Sequence, residues 1–379
     1  MTVLLVTNDF PPTVGGIQSY VRDFAGQYVR RAGANNLIVF ASTQDRDAAR
    51  RFDAGLSYTV VRWPRRVMLP TPATVREMQR LIRLHGVDTV WFGAAAPLGV
   101  MGSAARAAGA RRVVASTHGH EVGWSMLPGA RQLLGAIGRS ADTVTYISRY
   151  TLGRLRRPLG TSARFEALPS GVDTRFFRPA SDAERAATRD QLGVGGAPLI
   201  VCASRLVARK GQDSLIDALP HVARSIPGTR LVITGDGPYE RTLRKRARGL
   251  GDAVIFTGSV ERTQLRDIIA AADVFAMPAR TRGAGLDVEG LGIVYLEAQA
   301  CGIPVIAGTS GGAPETVTPA TGIVVDGRDT AELAGALTGL LADPKRRRAM
   351  GEAGRAHVSR TFSWDVLGDR LVRLLDATG

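Results

Sequence analysis

The sequence predicts an α/β protein built from two Rossmann-like domains, and three observations support this fold class. Short apolar runs rich in β-branched residues alternate with segments of helical period, as in parallel sheets covered by helices. A polar stretch containing Pro and Gly at 168–196, which we interpret as a linker, interrupts the alternation, and the alternation then starts again. The length of 379 residues also suits two domains of roughly 100–200 residues each.

We predict the elements in chain order from their apolar periodicity. The first series has strands at 2–7, 37–43, 58–63, 89–95, 112–117 and 143–148, with helices such as 16–31 and 72–85 between them. The second has strands at 199–206, 230–237, 254–260, 273–279, 304–310 and 322–327, and helices at 211–224, 238–249, 262–271 and 292–301. The predicted domains are 1–169 and 170–361, with the amphipathic helix predicted within 362–379 completing the first. The carboxyl ends of the two sheets are expected to face one cleft.

The composition excludes several classes of protein. Hydrophobic residues make up 45% and charged residues 22% of the chain, which excludes disorder over most of it. Two cysteines, Cys202 and Cys301, cannot form a disulfide framework and suit a reduced, cytoplasmic protein. No apolar run reaches the ~20 residues of a membrane-spanning helix, and the first residues do not resemble a signal peptide.

Positive charge is concentrated in the first half of the chain. The sequence has 49 Lys and Arg against 34 Asp and Glu, a net charge of +15. Residues 1–175 hold 23 basic and 11 acidic residues, and residues 176–379 hold 26 and 23. The excess indicates a phosphate-bearing partner, with Arg-rich codon bias as the alternative. A nucleic-acid-binding protein is disfavoured, because aromatic residues are only 6% and do not alternate with basic ones.

Two loops are candidates for binding phosphate. Gly15 and Gly16 follow the first strand and precede a helix, whose free N–H groups can meet an anion. Their spacing is not G-x-G-x-x-G, which disfavours a dinucleotide-binding fold, and a plain tight turn is the alternative to phosphate binding. Arg205 and Lys210 flank the loop after the first strand of the second series, where they could grip a diphosphate. Lysine occurs only three times in the chain, which suggests that Lys210 is needed as a compact ammonium, with a solvated basic loop as the alternative.

Glu289 and Glu297 form the third candidate. Gly290 and Gly292 open the predicted helix between them, and eight helical steps would separate the carboxylates by about 12 Å. Such a spacing suits a ligand with a sugar at one end and a ribose at the other, because carboxylates accept pairs of hydroxyl hydrogens.

Two further motifs bear on catalysis and metal binding. His118 follows a strand of the first domain within Thr-His-Gly-His-Glu, which is not the H-E-x-x-H spacing of a zinc site. We expect it to reach the cleft, with a structural histidine as the alternative. Asp45 and Asp47 resemble a metal-binding D-x-D, but their arginine neighbours favour a solvated loop. We therefore predict no metal site and no required cofactor.

In combination, these motifs resemble those of the retaining glycosyltransferases of family 4, which have the GT-B fold. The resemblance covers nearly the whole chain and rests, in order, on GGIQSYVRD, THGHEVGW, LPSGVD, SRLVARKGQD, TGDGPYE, the two glutamates and GTSGGAPETV. Within the family, the stretches 62–72 and 118–134 are similar to actinobacterial mannosyltransferases that use GDP-mannose. The resemblance implies transfer of a second mannose, α-1,6-linked to inositol, onto phosphatidylinositol monomannoside, a step of phosphatidylinositol mannoside and lipoglycan biosynthesis. The alternative is another nucleotide-sugar and a soluble sugar- or inositol-phosphate acceptor.

The resemblance also implies a role for each candidate residue. Glu289 would hold the transferred sugar, Glu297 the ribose, and His118 would contact the sugar. The diphosphate and the base would be held by Gly15, Gly16, Arg205, Lys210, Val260, Arg262 and Ile293. Reversible docking on the inner leaflet, where an anionic phosphoinositide acceptor resides, is expected through Trp63, Arg65, Arg66 and Trp124.

Overall fold

The computed structural model describes residues 1–13 and 15–376. Contacts divide the chain into two units. One unit comprises Met1–Ser170 and the segment that starts at Asp365, and the other comprises Gly171–Trp364. The last three residues of the helical stretch predicted within 362–379 lie outside the described residues.

The first unit is a parallel sheet with helices on both faces. Its strands are β1 (Val3–Thr7), β2 (Leu37–Ser42), β3 (Thr59–Trp63), β4 (Thr89–Phe92), β5 (Arg112–Ser116), β6 (Thr143–Tyr146) and β7 (Arg164–Ala167). Its helices include α1 (Gly16–Ala32), α2 (Arg46–Asp53), α3 (Pro72–His85), α4 (Gly102–Ala107), α5 (Glu121–Ser125), α6 (Pro128–Ser140) and α7 (Arg149–Leu159). The strand order is β3-β2-β1-β4-β5-β6-β7. The order reverses between β1 and β4, and ligands bind beyond the carboxyl ends of strands at such a reversal.

The second unit repeats this plan with six parallel strands. They are β8 (Leu199–Ala203), β9 (Arg230–Thr234), β10 (Val254–Gly258), β11 (Val274–Met277), β12 (Val305–Gly308) and β13 (Gly322–Val325), in the order β10-β9-β8-β11-β12-β13. The helices are α8 (Asp182–Gln191), α9 (Gln212–Ser225), α10 (Glu240–Ala247), α11 (Arg262–Ala270), α12 (Ile293–Ala300), α13 (Thr330–Leu341) and α14 (Pro344–Thr361). Here the order reverses between β8 and β11, so the loops after these two strands are the expected ligand site.

The last helix, α15 (Trp364–Leu375), packs on the first unit. Asp369 accepts a hydrogen bond from the Arg31 guanidinium at 2.6 Å. The hydroxyl of Thr89, at the start of β4, donates to the Leu375 carbonyl at 2.8 Å. The helix therefore covers the sheet of the first unit, although most of its sequence neighbours belong to the second.

The strands agree with the predicted ones, but most end earlier. β8 was predicted to extend to residue 206 and ends at Ala203, and β4 was predicted to extend to 95 and ends at Phe92. The apolar pattern continues beyond the last ladder hydrogen bond, because the first loop residues at the carboxyl edge are also buried. The sequence analysis missed β7, whose exposed Arg164 and Glu166 alternate with the partly buried Phe165. Such a pattern is typical of an edge strand with one solvated face.

The stretch 168–196, which the sequence suggested as a linker, contains helix α8. Ser181 caps this helix together with Glu184 in a reciprocal capping box. Arg185 and Arg189 of the helix form ion pairs with Asp273 at 2.8 and 2.7 Å. The polar composition of the stretch thus reflects ion pairs that fix a helix to the second unit.

Among the described residues, no helix combines the length and apolar character that crossing a membrane requires.

Replacing Asp273 with Ala is expected to destabilise the second unit. The carboxylate also accepts the Leu199 N–H at 2.8 Å, and its loss leaves the largely buried Arg189 without its charge partner. Removing one member of a buried ion pair costs about 3 kcal/mol. Urea denaturation followed by circular dichroism should show an earlier transition. Asp217→Ala, which removes the partly exposed pair with Arg246, is the control, and equal shifts in both variants would contradict the prediction.

Candidate functional site

The loop after β8 places two cations in different surroundings. Lys210 ends a short 3-10 turn, Ala208–Lys210, and is buried, whereas Arg205 at the start of the loop is exposed. Gly211 follows with φ 79°, and a Cβ at this position would lie 2.2 Å from the Pro278 carbonyl oxygen. Only glycine therefore allows this loop to approach the loop after β11 so closely.

Lys210 and Glu289 meet across these two loops. The Lys210 ammonium lies 2.5 Å from Glu289 Oε2, and both side chains are about nine-tenths buried. The main chain of Glu289 is fixed as well, because its N–H donates to Ser310 Oγ at 3.1 Å and its carbonyl accepts the Gly312 N–H at 2.9 Å. Two residues taken from separate motifs thus form one charged pair at the strand-order reversal.

The two glutamates are not on one helix. Helix α12 begins at Ile293, after Gly292 with φ 90°, so Glu289 lies on the preceding loop and the helical spacing of about 12 Å does not apply. Glu297 is partly buried and lies one turn after Ile293 on the same face of the helix. The helix has no side-chain cap and no acidic residue in its first turn. Its N–H groups are therefore available to an anion.

The segment suggested for base recognition lies two strands away from β8. Val260 is partly exposed, and Arg262 is the first residue of α11. The Arg262 guanidinium lies 4.4 Å from the centre of the Phe176 ring, in the range of a cation–π contact. The structure thus places both residues at the carboxyl edge and fixes the Arg262 side chain by stacking.

In the first unit, His118 occupies the carboxyl end of β5. Its Nε2 lies 2.7 Å from the Gly93 carbonyl, which can only accept, so Nε2 carries the proton of the neutral ring and Nδ1 keeps a lone pair. The Tyr20 ring packs edge-on against the imidazole at 4.6 Å. Burial lowers the pKa of His118 from its usual value of 6.5, against the opposing effect of Glu121. The ring is therefore neutral at physiological pH.

Glu121 holds the His118 loop and was missed by the sequence analysis. The carboxylate is fully buried and accepts the N–H groups of His118 and Gly119, both at 3.0 Å. His120 lies 3.5 Å from the same oxygen. The signal was present in the sequence, because an acidic residue three positions after His118 can fold back on the loop main chain.

Gly15 and Gly16 lead into α1, as predicted. The helix has no side-chain cap and no acidic residue in its first turn. A Cβ on Gly16 would meet nothing within 4 Å, whereas one on Gly15 would lie 2.2 Å from Gln18 Oε1. The space beside Gly16 is therefore open to a ligand that approaches the backbone.

Two of the residues suggested for membrane docking are less exposed than their neighbours. Trp63 and Trp124 are partly buried and pack against the hydrophobic core of the first unit. Arg65 and Arg66 are exposed. Packing against the core therefore accounts for part of the apolar character at these two positions.

Asp45 is the N-cap of helix α2, which corrects the expected solvated loop. Its carboxylate accepts the Ala48 N–H at 2.9 Å, and Asp47 lies in the first turn, where negative charge is favourable. Among residues 1–13 and 15–376, no three His, Cys, Asp or Glu side chains are grouped so that they could hold a metal ion.

We expect His118 to titrate below pH 6.5. Because the folded state binds this proton more weakly than the unfolded chain, the free energy of unfolding should fall as the pH drops below 6.5. NMR of ¹⁵N-histidine-labelled protein should show an Nε2–H tautomer at pH 7 and the lowered pKa, with His118→Gln to assign the signal. Titration of that signal at or above pH 6.5 would contradict the assignment.

Comparisons with known proteins agree with this architecture. Residues 14–176 match the family described as Glycosyltransferase Family 4, and residues 184–357 match the Glycosyl transferases group 1. The structure of Anabaena HepE in complex with UDP superposes with a TM-score of 0.81 at 21% identity, covering 99% of each chain. Two matched domains with Rossmann-like parallel sheets, together with this neighbour, define the fold as GT-B.

Curated relatives align over nearly the full length. The chain is 57% identical to the GDP-mannose-dependent monoacylated alpha-(1-6)-phosphatidylinositol monomannoside mannosyltransferase of Corynebacterium glutamicum, covering 99% of this chain and 97% of the relative. It is 55% identical to the GDP-mannose-dependent alpha-(1-6)-phosphatidylinositol monomannoside mannosyltransferase of Mycolicibacterium smegmatis, covering 98% of both. The protein with the Lys210–Glu289 pair at its strand-order reversal therefore belongs to the family 4 glycosyltransferases.

Proposed function

We propose that this glycosyltransferase moves α-mannose from GDP-mannose to phosphatidylinositol monomannoside with retention of configuration. The Lys210–Glu289 pair carries the proposal. It joins a cation suited to a diphosphate with a carboxylate suited to sugar hydroxyls, on the loops after β8 and β11. The uncapped N-terminus of α12 adds N–H donors for the diphosphate. Identity of 54–57% over nearly the whole length supports the donor and the acceptor.

The proposed reaction is a front-face substitution with oxocarbenium character. The bond from C1 of mannose to the diphosphate oxygen breaks while the acceptor hydroxyl oxygen bonds to C1 from the same side. The acceptor proton passes to the leaving diphosphate. Arg205, Lys210 and the N–H groups of α12 stabilise the charge that develops on the diphosphate, which is electrostatic preorganisation. Glu289 is a poor candidate for a covalent nucleophile, because Lys210 holds one of its oxygens at 2.5 Å.

One assay tests the whole proposal. Purified protein is incubated with labelled GDP-mannose and phosphatidylinositol monomannoside, and the product is expected to carry one further mannose. UDP-sugars with inositol phosphate are run in parallel. Transfer only in that second arm would replace the proposal by the soluble-acceptor alternative. Donor binding measured in the presence of EDTA is expected to be retained, since we propose that no metal is required.

Substituting either cation should slow the reaction. Arg205→Ala and Lys210→Ala are each expected to lower turnover by about 10²-fold, as removal of an oxyanion donor does. Because Lys210 contacts Glu289, the double variant Lys210→Ala/Glu289→Ala should lose less than the product of the single losses. Steady-state kinetics at saturating donor measures this. Near-normal turnover in both cation variants would refute the diphosphate assignment.

The two glutamates should differ in their kinetic effects. Glu297→Ala is expected to weaken binding of GDP and of GDP-mannose, because a ribose contact is the same in the ground and transition states. Glu289→Ala is expected to lower turnover and to leave the Kd of GDP unchanged, since Glu289 contacts the sugar on which charge develops and not the nucleotide. Calorimetric Kd values and kcat separate the two, and the reverse pattern would exchange the roles.

We also propose reversible docking of the first unit on the cytoplasmic face of the membrane. Val67, Leu69, Met126 and Leu127 are between 49% and 63% exposed. Arg65 and Arg66 are exposed beside the first pair, and Arg131 lines a cavity of about 430 Å³ next to the second. Exposed apolar side chains beside cations suit an anionic bilayer. The lipid tails would stay in the membrane while the inositol headgroup of the acceptor leaves the bilayer surface to react.

Vesicle sedimentation should detect this docking. The protein is expected to pellet with anionic vesicles at low salt and less at high salt, because each basic residue contributes about 1 kcal/mol near the surface. Arg65→Glu/Arg66→Glu should abolish most binding. Arg346→Glu/Arg348→Glu in α14 makes the same charge change in the second unit and is the control. Equal binding to neutral vesicles, or equal loss in both variants, would reject this surface.

A further inference from the structure

Arg209 lies between two carboxylates of the second unit, and the proposed mechanism gives it no role. Its Nη1 is 3.1 Å from Asp287 Oδ1, and its Nε is 3.9 Å from Glu289 Oε2. Its carbonyl accepts the Arg280 N–H at 2.8 Å. The residue is thus held at its backbone and by the hydrogen bond from Nη1 to Asp287, and its Nε lies within ion-pair distance of Glu289.

Asp287 is a firm anchor for this guanidinium. It closes a short hairpin with Arg282, in which the Arg282 N–H donates to the Asp287 carbonyl at 2.9 Å and the Asp287 N–H donates back at 3.2 Å. The hairpin ends two residues before Glu289. Asp287 therefore holds Arg209 in a fixed position relative to the Glu289 side chain.

The charges converge on one oxygen of Glu289. Oε2 is buried, with the Lys210 ammonium at 2.5 Å; Arg209 Nε, also buried, lies 3.9 Å away, which is an ion-pair distance and not a hydrogen bond. Coulomb interactions between buried groups are much stronger than in water. A carboxylate is planar, so two cations that fix Oε2 also fix the direction of Oε1. Oε1 is then the oxygen left for a sugar hydroxyl.

We propose that Arg209 is a positioning residue that holds the Glu289 carboxylate in the orientation that binds the transferred sugar. The inference rests on the proposed function, because it takes Glu289 as the sugar ligand. Lys210 alone would hold the carboxylate less well. Its ammonium sits on a flexible stem and must also serve the diphosphate, whereas a guanidinium is planar and presents its donors in a fixed fork.

A purely structural role for Arg209 makes a different prediction. If Arg209 only stabilised the hairpin and the neighbouring diphosphate loop, its loss would weaken binding of GDP and GDP-mannose alike. If it positions Glu289, its loss affects only the ligand that carries the sugar. The ratio of the two dissociation constants therefore separates the two roles.

Calorimetry with GDP and GDP-mannose is the test. Arg209→Gln is expected to weaken GDP-mannose binding by about tenfold and to leave GDP binding nearly unchanged. Asp287→Asn should shift the ratio in the same direction by a smaller factor. In a Glu289→Gln background, Arg209→Gln should add little further loss. Arg246→Gln, which breaks a partly exposed pair with Asp217, is the matched control and should leave both affinities unchanged.

Three results would overturn the inference: equal weakening of both ligands, no change in either, or full additivity with Glu289→Gln. If Arg209→Gln does not fold by circular dichroism, Asp287→Asn decides by the same ratio. Wild-type protein that binds GDP but not GDP-mannose would instead refute the proposed donor, and that result is read before any variant is compared.

Discussion

The buried ion pair between Lys210 and Glu289 is the constraint on which the candidate site of the second unit depends. Burying either charge alone would cost several kcal/mol, and each is tolerated because the other lies within 2.5 Å. The pair requires the loops after β8 and β11 to approach closely, and Gly211 permits this approach against the Pro278 carbonyl. The proposed donor, which carries a diphosphate and sugar hydroxyls, would enter a site whose charges are already held in place.

The other groups of the proposed donor site also favour the binding of an anion. Arg205 is exposed and ready to meet an anion, while the first turn of α12 lacks both a cap and an acidic residue. These features leave positive potential at this edge of the sheet, which the diphosphate of the proposed donor would balance. The network of Asp213 and Arg280, paired at 2.5 Å, fixes the start of α9 behind the loop. Asp213 is the last residue of the motif SRLVARKGQD, whereas Arg280 lies outside the quoted motifs, and their pair supports the loop that carries Arg205 and Lys210.

The first unit uses the same plan with different chemistry. Its strand order also reverses at the first strand, and its polar groups again follow the strands next to that reversal. Glu121 fixes the loop of His118 by accepting two main-chain N–H groups. Gly93, after β4, sets the tautomer of the imidazole. A neutral ring with a free Nδ1 can accept a hydrogen bond from a hydroxyl, which suits contact with a sugar better than with a phosphate.

The sequence by itself determined the strand and helix alternation, the two-domain plan and the motif residues, because apolar periodicity and short Gly-rich or charged loops are local properties. Strand β7 and helix α8 were not predicted. An edge strand and a helix that is held by Arg–Asp pairs lack the periodic apolar residues on which the prediction relies. Only the tertiary structure decided that Lys210 contacts Glu289 and that Arg209 lies within ion-pair distance of the same carboxylate. It also decided that Trp63 and Trp124 pack against the core. Contacts between residues about 80 positions apart depend on strand order, and strand order leaves no local trace in the sequence.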